Sequence, residues 1–396
     1  MGERQKMAIK NPVELLKELI RFKSITPSDG GGLEFIKQFL KGMGDFVEIE
    51  KNGVKNLVVI REGKGKKSLA LAGHIDVVPP GNGWNSDPFS PTLREGYIYG
   101  RGAQDMKSGL AGLIWAFKNS NWQGKRIFLI ITSDEEGEAK YGTLEVLKWM
   151  EREKILPDYG IVGEPTSEKV VGDSIKIGRR GSINGVLTIY GKQGHVAYPD
   201  QLLNPVELIA PLCSHFVGQL LDNGDAYFPP SKLVVTDIRG GMEVVNVTPD
   251  RLQIMFNIRN NTNTDIKKVQ QFWKKILEGI GNLENLGNMK KNFSIKNRKK
   301  GKYRLKLSQS AYPFLTNPTS PIVIKTVEGI KKVCGITPKL STAGGTSDAR
   351  FFAQFGIEVV EFGVLNNRIH QTDERVKPEE VEQVAQVYLY LLNQIT

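Results

Sequence analysis

Several short segments of this chain place a histidine or an acidic residue directly after a run of apolar, strand-forming residues. Such runs are typical of buried parallel strands, and open α/β sheets carry their sites beyond the carboxyl ends of those strands. The chain has four histidines, and two of them lie in these segments. The segments are residues 73–76, 102–105, 133–136, 163–165 and 369–371. Histidines and carboxylates that meet at one sheet edge predict a metal site with nitrogen and oxygen ligands, which is typical of zinc.

The composition favours a soluble protein of two domains. At 396 residues the chain is too long for one ordinary core, and it is 40% hydrophobic and 24% charged. No apolar run approaches the ~20 residues of a membrane span, and residues 1–10 lack the apolar core of a signal peptide. We therefore expect a cytoplasmic protein with no membrane partner. Cys213 and Cys334 lack the spacing of a cysteine–zinc site or a disulfide framework.

The net charge of +11 comes mostly from one stretch. Residues 290–306 contain nine Lys and Arg residues and no acidic residue. A solvated strand and turn is the simplest interpretation, and electrostatic steering of an anionic substrate is a second. Nucleic-acid binding is the least favoured interpretation, because no recognised binding module accompanies the stretch. The sequence thus predicts no nucleic-acid partner.

Two hydrophobic patterns predict two domains. Strands alternate with helices over residues 1–181 and again over 295–396, which indicates an α/β domain with a mixed, mostly parallel sheet flanked by helices. Over residues 182–294 the strands alternate apolar and polar side chains, and helices are predicted at 205–221 and 265–280. The sequence therefore predicts a discontinuous α/β domain with an inserted α+β domain.

The acidic residues near the strand ends have both structural and catalytic explanations. His74 and Asp76 lie two residues apart on an extended chain, so their side chains point the same way, and Asp76 can accept the imidazole N–H that faces away from a metal. Asp105 precedes a helix, where it either caps the helix or bridges two ions. Glu135 and Glu136 repel each other unless they are solvated or neutralised by a cation. In the functional interpretation, one of these two binds metal and the other transfers protons.

Glu164 and His370 complete this set of residues. Glu164 ends a further strand, and His370 lies in a loop that follows the last strand of the resumed sheet. Each residue alone is a weak indication. Five ligands with one spare carboxylate suit two zinc ions that share one bridging ligand and one water.

The order of these motifs resembles the zinc aminoacylase/carboxypeptidase superfamily (peptidase family M20), and within it the bacterial succinyl-diaminopimelate desuccinylases. The resemblance covers nearly the whole chain. The stretches that carry it are residues 72–81, 99–112, 131–137, 163–166, 178–205, 341–351 and 360–376. It implies a zinc-peptidase-like catalytic domain with an inserted domain that serves as lid and as dimerisation surface, so we expect a homodimer.

The resemblance also implies a role for each metal ligand. His74 and Glu164 would hold one zinc ion, and Glu136 and His370 would hold the other. Asp105 would bridge the two ions. Co²⁺ is a possible substitute for Zn²⁺ at both positions.

Further residues are implied to act in catalysis. Glu135 would be the general base, and Asp76 would orient His74. His195 would reach the active site of the partner subunit and stabilise the tetrahedral oxyanion, a kind of contact that contributes about 3 kcal/mol in other enzymes.

The resemblance implies an anionic small-molecule substrate. N-succinyl-LL-2,6-diaminopimelate carries several carboxylates, which require cationic side chains and backbone N–H groups. The positions that match the substrate contacts of the family are Arg179, Tyr198, Asn246, Arg259, Gly345 and Thr346. Relatives often have two adjacent asparagines where this chain has Val245 and Asn246, so one polar contact is expected to differ.

The implied reaction is hydrolysis of the succinyl amide to succinate and LL-2,6-diaminopimelate, in the synthesis of lysine and cell-wall precursors. Two alternatives stay open at the level of the sequence. One is a related deacylase or carboxypeptidase, such as an acetylornithine deacetylase. The other is a catalytically silent binding protein of the same fold, against which the presence of all six central residues argues.

Overall fold

The structure, a computed structural model, describes residues 9–281 and 302–395. The chain forms two compact units. The first unit is drawn from Met1–Gly178, Leu315–Thr342 and Ser347–Thr396, and the second from Arg179–Phe314 and Ala343–Thr346. Each unit has its own buried hydrophobic cluster.

Helices occur in both units and are numbered in chain order. The helices are α1 (Pro12–Ile20), α2 (Gly32–Phe39), α3 (Lys107–Asn119), α4 (Thr143–Arg152), α5 (Pro205–Ile209), α6 (Ile266–Gly281), α7 (Pro321–Cys334), α8 (Ala349–Gln354) and α9 (Pro378–Leu392), with short 3₁₀ helices at Pro199–Gln201 and Ala210–His215. Within the described part of the chain, none of these helices has the length and apolar character needed to cross a membrane.

The strands are numbered in chain order. They are β1 (Asp45–Lys51), β2 (Val54–Glu62), β3 (Ser68–His74), β4 (Thr92–Arg94), β5 (Tyr97–Tyr99), β6 (Arg126–Thr132), β7 (Tyr159–Val162), β8 (Ser174–Lys176), β9 (Gly178–Arg179), β10 (Ser182–Tyr190), β11 (Gly194–His195), β12 (Leu233–Gly240), β13 (Val247–Thr248), β14 (Arg251–Ile258), β15 (Lys302–Ala311), β16 (Phe314–Leu315), β17 (Lys339–Ser341), β18 (Glu358–Glu361) and β19 (Arg375–Val376).

An eight-stranded sheet forms the centre of the first unit, in the order β1-β2-β6-β3-β7-β18-β8-β17. Strand β3 pairs in parallel with β6 and β7, and β7 pairs in parallel with β18. The strands β1 and β2 add antiparallel pairs on one side. The predicted mixed α/β sheet is confirmed. Since β6, β3, β7 and β18 run the same way, their carboxyl ends form one continuous edge.

Local sequence explains how two helices of the first unit form and pack. Asn11 caps α1 by accepting the N–H of Glu14, and Pro12 occupies the first turn, where its missing N–H costs nothing. Gly109 lets α3 lie against the sheet, because a Cβ there would come within 1.9 Å of the carbonyl oxygen of Gly163. Helix α3 thus lies directly beside the end of β7.

The second unit contains an antiparallel sheet in the order β12-β14-β10-β15. Its strands alternate buried and exposed residues, as in β14. The buried face packs with Trp273 of α6 and Phe216 in one hydrophobic cluster. The predicted helix at 205–221 is wrong: α5 ends at Ile209 and a 3₁₀ helix follows. Pro211 has no N–H to continue an α-helix, and Gly218 has a positive φ of 71°.

The predicted limits of the inserted domain differ from the two units. Its predicted end at residue 294 lies outside the described residues, as do residues 290–301 of the basic stretch. The sequence predicts that residues 295–396 belong to the first domain. Strand β15, however, pairs with β10 over its whole length and so belongs to the second unit. Strand pairing between segments this far apart in the chain leaves no local signal in the sequence.

Candidate metal centre

The ends of the parallel strands carry the predicted ligands. His74 is the last residue of β3, and Glu164 comes two residues after β7. Glu136 follows β6, and Asp105 lies just before α3. His370 lies in the loop between β18 and β19. All five belong to the first unit, and the edge of the sheet brings them together from distant parts of the sequence.

His74 is oriented so that one ring nitrogen faces the other ligands. It is 1% exposed, and its Nδ1 lies 2.8 Å from the carbonyl oxygen of Asp76. Because a carbonyl only accepts, Nδ1 carries the hydrogen of the neutral ring and Nε2 keeps its lone pair. Nε2 lies 3.4 Å from Oδ1 of Asp105 and 3.8 Å from Oε1 of Glu164. The neutral imidazole is therefore prepared to bind a cation through Nε2.

Asp76 connects the ends of two strands. It is fully buried, and its Oδ1 lies 3.5 Å from Nδ1 of His74. Its carboxylate also accepts the backbone N–H groups of Glu135, at 3.4 Å, and Glu136, at 3.1 Å. The main chain of Asp76 thus makes the shorter contact with His74, while the side chain of Asp76 fixes the turn that carries the two glutamates.

Two groups of three side chains have the spacing of metal ligands. Ligand atoms of His74, Asp105 and Glu164 all lie within 4.8 Å of one another, and so do those of Asp105, Glu136 and His370. Asp105 belongs to both groups: its Oδ1 faces His74, and its Oδ2 lies 3.3 Å from Nε2 of His370. This is the arrangement expected of two metal ions that share one carboxylate.

Glu135 lies beside these groups and partly overlaps them. Its Oε2 is 3.9 Å from Nε2 of His74, and His74, Glu135 and Glu136 form a third set with ligand spacing. The carboxylate can therefore approach either a metal ion or a molecule bound to one. Burial raises the pKa of Glu135 well above its usual range, and the neighbouring Asp348 and Glu136 raise it further.

Two buried atoms show that the residues fit a metal ion. Nε2 of His74 and Oε1 of Glu164 are buried and have no hydrogen-bond partner among residues 9–281 and 302–395. A buried polar atom without a partner costs about 1–3 kcal/mol. A cation between them would satisfy both atoms at once, and a donor set of imidazole nitrogen and carboxylate oxygen suits zinc.

The pKa values show an excess of buried negative charge. Burial raises the pKa of Glu164 well above its usual range, and Asp105 and Glu135 add to this effect. Burial also opposes ionisation of Asp105, but the nearby imidazoles of His370 and His74 outweigh it and lower the pKa of Asp105. Contacts with Asp105 and Glu136 raise the pKa of His370 to about 10. In the metal-free protein, protons on the histidines supply the positive charge that metal ions would otherwise supply.

The other predicted residues lie in the second unit, in separate places. Arg179 is buried, and its Nη1 donates to the carbonyl of Ala343 over 3.1 Å. Gly344 has a positive φ of 109°, which favours glycine, and a Cβ there would come within 2.3 Å of that nitrogen. The next residues, Gly345 and Thr346, are exposed. Arg179 thus lies next to the exposed turn that precedes α8.

A second set surrounds the short strands β11 and β13. The backbone N–H of Tyr198 donates to the carbonyl of His195 over 2.9 Å, and that of Val196 donates to the carbonyl of Asn246 over 3.0 Å. The rings of His195 and Tyr198 are 5.9 Å apart, and both side chains are exposed, as is Asn246. Arg259 is exposed directly after β14. The structure therefore gathers His195, Tyr198 and Asn246 on one exposed surface.

Sequence reasoning missed two charged residues beside the ligands. Arg101 and Glu374 are almost fully buried, and their side chains are 2.7 Å apart. The sequence gives only a weak indication of a role for each: Arg101 lies between two glycines, and Glu374 comes four residues after His370. Neither signal identifies the partner, because 273 residues separate the two.

The fold and the ligand geometry define an α/β protein with a candidate dinuclear metal centre. The family model described as peptidase family M20/M25/M40 matches residues 70–394. The chain belongs to this family.

Relatives and solved structures agree with this assignment. The chain is 52% identical to a succinyl-diaminopimelate desuccinylase from Nautilia profundicola over 379 residues, which cover 96% of this chain and 98% of the relative. It is 50% identical to a protein of the same name from a Nitratiruptor species, with coverage of 95% and 97%. The crystal structure of aminopeptidase PepT from Bacillus cereus is similar in fold, with a TM-score of 0.76, 23% identity and 97% coverage of both chains.

Proposed function

We propose that this protein is a dinuclear zinc amide hydrolase that converts N-succinyl-LL-2,6-diaminopimelate and water into succinate and LL-2,6-diaminopimelate. The observation that carries the proposal is Asp105, whose two oxygens face the two ligand groups separately. The name and the near-complete coverage of relatives at about half identity support the choice of substrate. Hydrolysis of an amide is the chemistry that both observations share.

The ligands would hold two zinc ions. His74 and Glu164 would bind one, Glu136 and His370 the other, and Asp105 both. When bound, such ions polarise the amide carbonyl and lower the pKa of a water molecule. The charge of the ions would be balanced by four acidic side chains that lie close to the two imidazoles, namely Asp105, Glu135, Glu136 and Glu164.

Glu135 is suited to move the proton. Burial raises its pKa well above the usual range, which strengthens its affinity for a proton. It would accept a proton from the attacking water and then deliver it to the nitrogen of the leaving amine as the amide C–N bond breaks. The backbone of Glu135 is held by Asp76, so the carboxylate extends from a fixed turn.

Recognition of the substrate would fall to the second unit. The cationic Arg179 and Arg259, with the exposed Tyr198 and Asn246, provide groups that bind carboxylates and amides. Backbone N–H groups of the exposed turn at Gly345 and Thr346 add neutral donors. These groups, rather than the metal ligands, would separate a succinylated substrate from an acetylated one.

We further propose a homodimer formed through the second unit. Strand β12 is an edge of its sheet, and edge strands with exposed apolar side chains pair readily with another copy. The exposed apolar residues on and after this strand are Val234, Ile238, Met242, Val244 and Val245. A second copy would cover this surface.

A substrate panel tests the main proposal. The zinc-loaded protein should hydrolyse succinyl-diaminopimelate with far higher kcat/KM than N-acetylornithine, and an inactive Glu135→Ala preparation should exclude a contaminating hydrolase. Turnover of acetylornithine without turnover of the succinylated substrate would reassign the protein to the related deacylases. Absence of both activities in a protein that also binds no metal would indicate a binding protein.

Mixed dimers test the proposed role of His195 in the partner's active site. His195→Ala should lower kcat with little loss of zinc, and mixing it with Glu135→Ala should restore part of the activity. His215→Ala is the matched control, because His215 is another exposed histidine of the second unit. Confirmed heterodimers that stay inactive would rule out a contribution across the subunits.

A further inference from the structure

A buried ion pair lies beside the metal ligands without belonging to them. Arg101 is 2% exposed and Glu374 is fully buried, and Nη1 of Arg101 donates to Oε2 of Glu374 over 2.7 Å. Burying an ion pair costs desolvation energy, and apolar side chains often stabilise a fold equally well. Stability alone therefore does not account for this pair.

Glu374 holds the turn that leads into Asp105. Its Oε1 accepts the backbone N–H groups of Gln104, at 2.7 Å, and Asp105, at 3.0 Å, and its Oε2 accepts that of Gly102, at 3.0 Å. Several neighbouring N–H groups thus converge on one carboxylate, an arrangement that binds anions in many proteins. Because the N–H of Asp105 itself is held, Glu374 fixes where the shared ligand begins.

Arg101 connects this turn to two other ligand-bearing segments. Its Nη1 donates to the carbonyl of Gln371 over 3.2 Å, and its Nη2 donates to the carbonyl of Pro80 over 3.1 Å. Gln371 directly follows His370, and Pro80 lies four residues after Asp76. One guanidinium thus joins the segments that follow β3 and β18.

The side chain of Gln104 adds a second link between the same segments. Its Oε1 accepts the backbone N–H of Arg368 over 2.7 Å, and its Nε2 donates to Oδ1 of Asn367 over 2.9 Å. The turn before Asp105 is therefore attached to the His370 loop on two sides.

We infer that Arg101 and Glu374 are positioning residues that set the separation of Asp105 and His370, and through it the affinity of the centre for the ion on the His370 side. This inference rests on the proposed dinuclear centre. Asp105 faces His370 with Nε2 and Oδ2 3.3 Å apart, so a small shift of either segment separates two ligands of one ion. Loss of groups that orient metal ligands typically lowers metal affinity by about 10–100-fold.

The two ions depend unequally on the pair. In the group of His74, Asp105 and Glu164, Asp105 follows the turn that Glu374 holds, whereas Arg101 reaches the segment of His74 only at Pro80, six residues further on. In the other group, Asp105 and His370 both lie on segments that the pair holds. The ion on the His370 side is therefore the more sensitive one, which separates positioning from a general loss of stability.

Stepwise zinc affinities test the inference. In competition with a chromogenic chelator, Glu374→Gln should lower the affinity for one of the two ions by about 10–100-fold and the affinity for the other much less. Glu379→Gln is the matched control, since it removes the same charge from an exposed position at the start of α9. Glu374→Asp should recover part of the lost affinity. The melting temperature of each metal-free variant reports stability separately.

Each result decides the question. Unchanged zinc affinities in a folded Glu374→Gln protein, or equal losses at both ions, would overturn the inference. If Glu374→Gln does not fold, Arg101→Lys decides by the same criterion. This substitution keeps the positive charge but loses the guanidinium group that reaches the carbonyls of both Gln371 and Pro80. Wild-type protein that binds fewer than two ions would reject the dinuclear centre itself, and that result appears before any variant is measured.

Discussion

Two carboxylates, one in each unit, have opposite surroundings. Asp222 in the second unit accepts hydrogen bonds from the side chains of Asn261, at 2.7 Å, and Thr264, at 2.5 Å, and from the backbone of Gly224 and Ser231. Burial opposes its ionisation, but these donors lower its pKa to about 2.

Glu164 in the first unit lacks such donors. Its Oε1 has no hydrogen-bond partner among the described residues, and burial with the neighbouring carboxylates raises its pKa. A carboxylate that stabilises a fold is surrounded by donors, whereas one that binds a metal ion is left without them until the ion arrives. This difference separates Asp222, which is held by donors, from the proposed ligand Glu164.

The largest effect is expected at Glu135. Glu135→Ala should lower kcat by about 10²–10⁴-fold, because the general base is lost, while zinc content stays near two per chain. The measurements are steady-state kinetics and elemental analysis of the same preparation. Glu138→Gln is the control, since Glu138 is an exposed acid three residues away. Substantial remaining activity would remove Glu135 from the mechanism.

Glu164→Gln should change the metal-free and metal-bound proteins in opposite directions. Without metal, removing one of several crowded carboxylates should raise the melting temperature, because repulsion and desolvation are relieved. With zinc, the variant should bind more weakly by about 10-fold or more and gain less stability on loading. Calorimetry with and without a chelator measures both effects. A metal-free variant less stable than wild type would contradict the comparison with Asp222.

Metal binding should release protons at neutral pH. His370 has a pKa of about 10 in the metal-free protein, and its proton must leave before its nitrogen binds an ion. Zinc affinity should therefore rise with pH from 6 to 8, by about tenfold per unit for each proton released. Titration calorimetry in buffers of different ionisation enthalpy counts the protons.

In the metal-free protein, stability depends on pH in the opposite direction. The stability that protonated His370 contributes is complete below its usual pKa and is lost as pH rises through about 10.

The smallest effect is expected at Asp222. Asp222→Asn should lower the free energy of unfolding by about 1–2 kcal/mol, equally with and without zinc, because hydrogen bonds to a charged acceptor are weakened. Since the pKa of Asp222 is depressed, its contribution is present above pH 4 or so and is lost as pH falls through about 2. Urea unfolding at several pH values measures it, with the exposed Asp250→Asn as control. A loss that depends on zinc would place Asp222 near the metal chemistry.

The sequence predicted the parts of the centre that local patterns encode. Apolar runs such as β3 and β6 identify parallel strands, and the residues at their ends are the candidate ligands, so His74 and Glu136 could be proposed from the sequence alone. Contacts between distant segments were not. Glu374 meets Arg101 only because two loops fold together, and the contact of His74 with the carbonyl of Asp76 is made by the main chain, which carries no side-chain signal.

The two histidine ligands differ in their access to solvent. His74 is 1% exposed, whereas the side chain of His370 is 47% exposed and its backbone has a positive φ of 59°. An ion on the His370 side therefore has the shorter route to bulk water. In a cell short of zinc we expect molecules that have lost the ion on the His370 side and keep the other. A modest supply of metal would restore their activity without refolding.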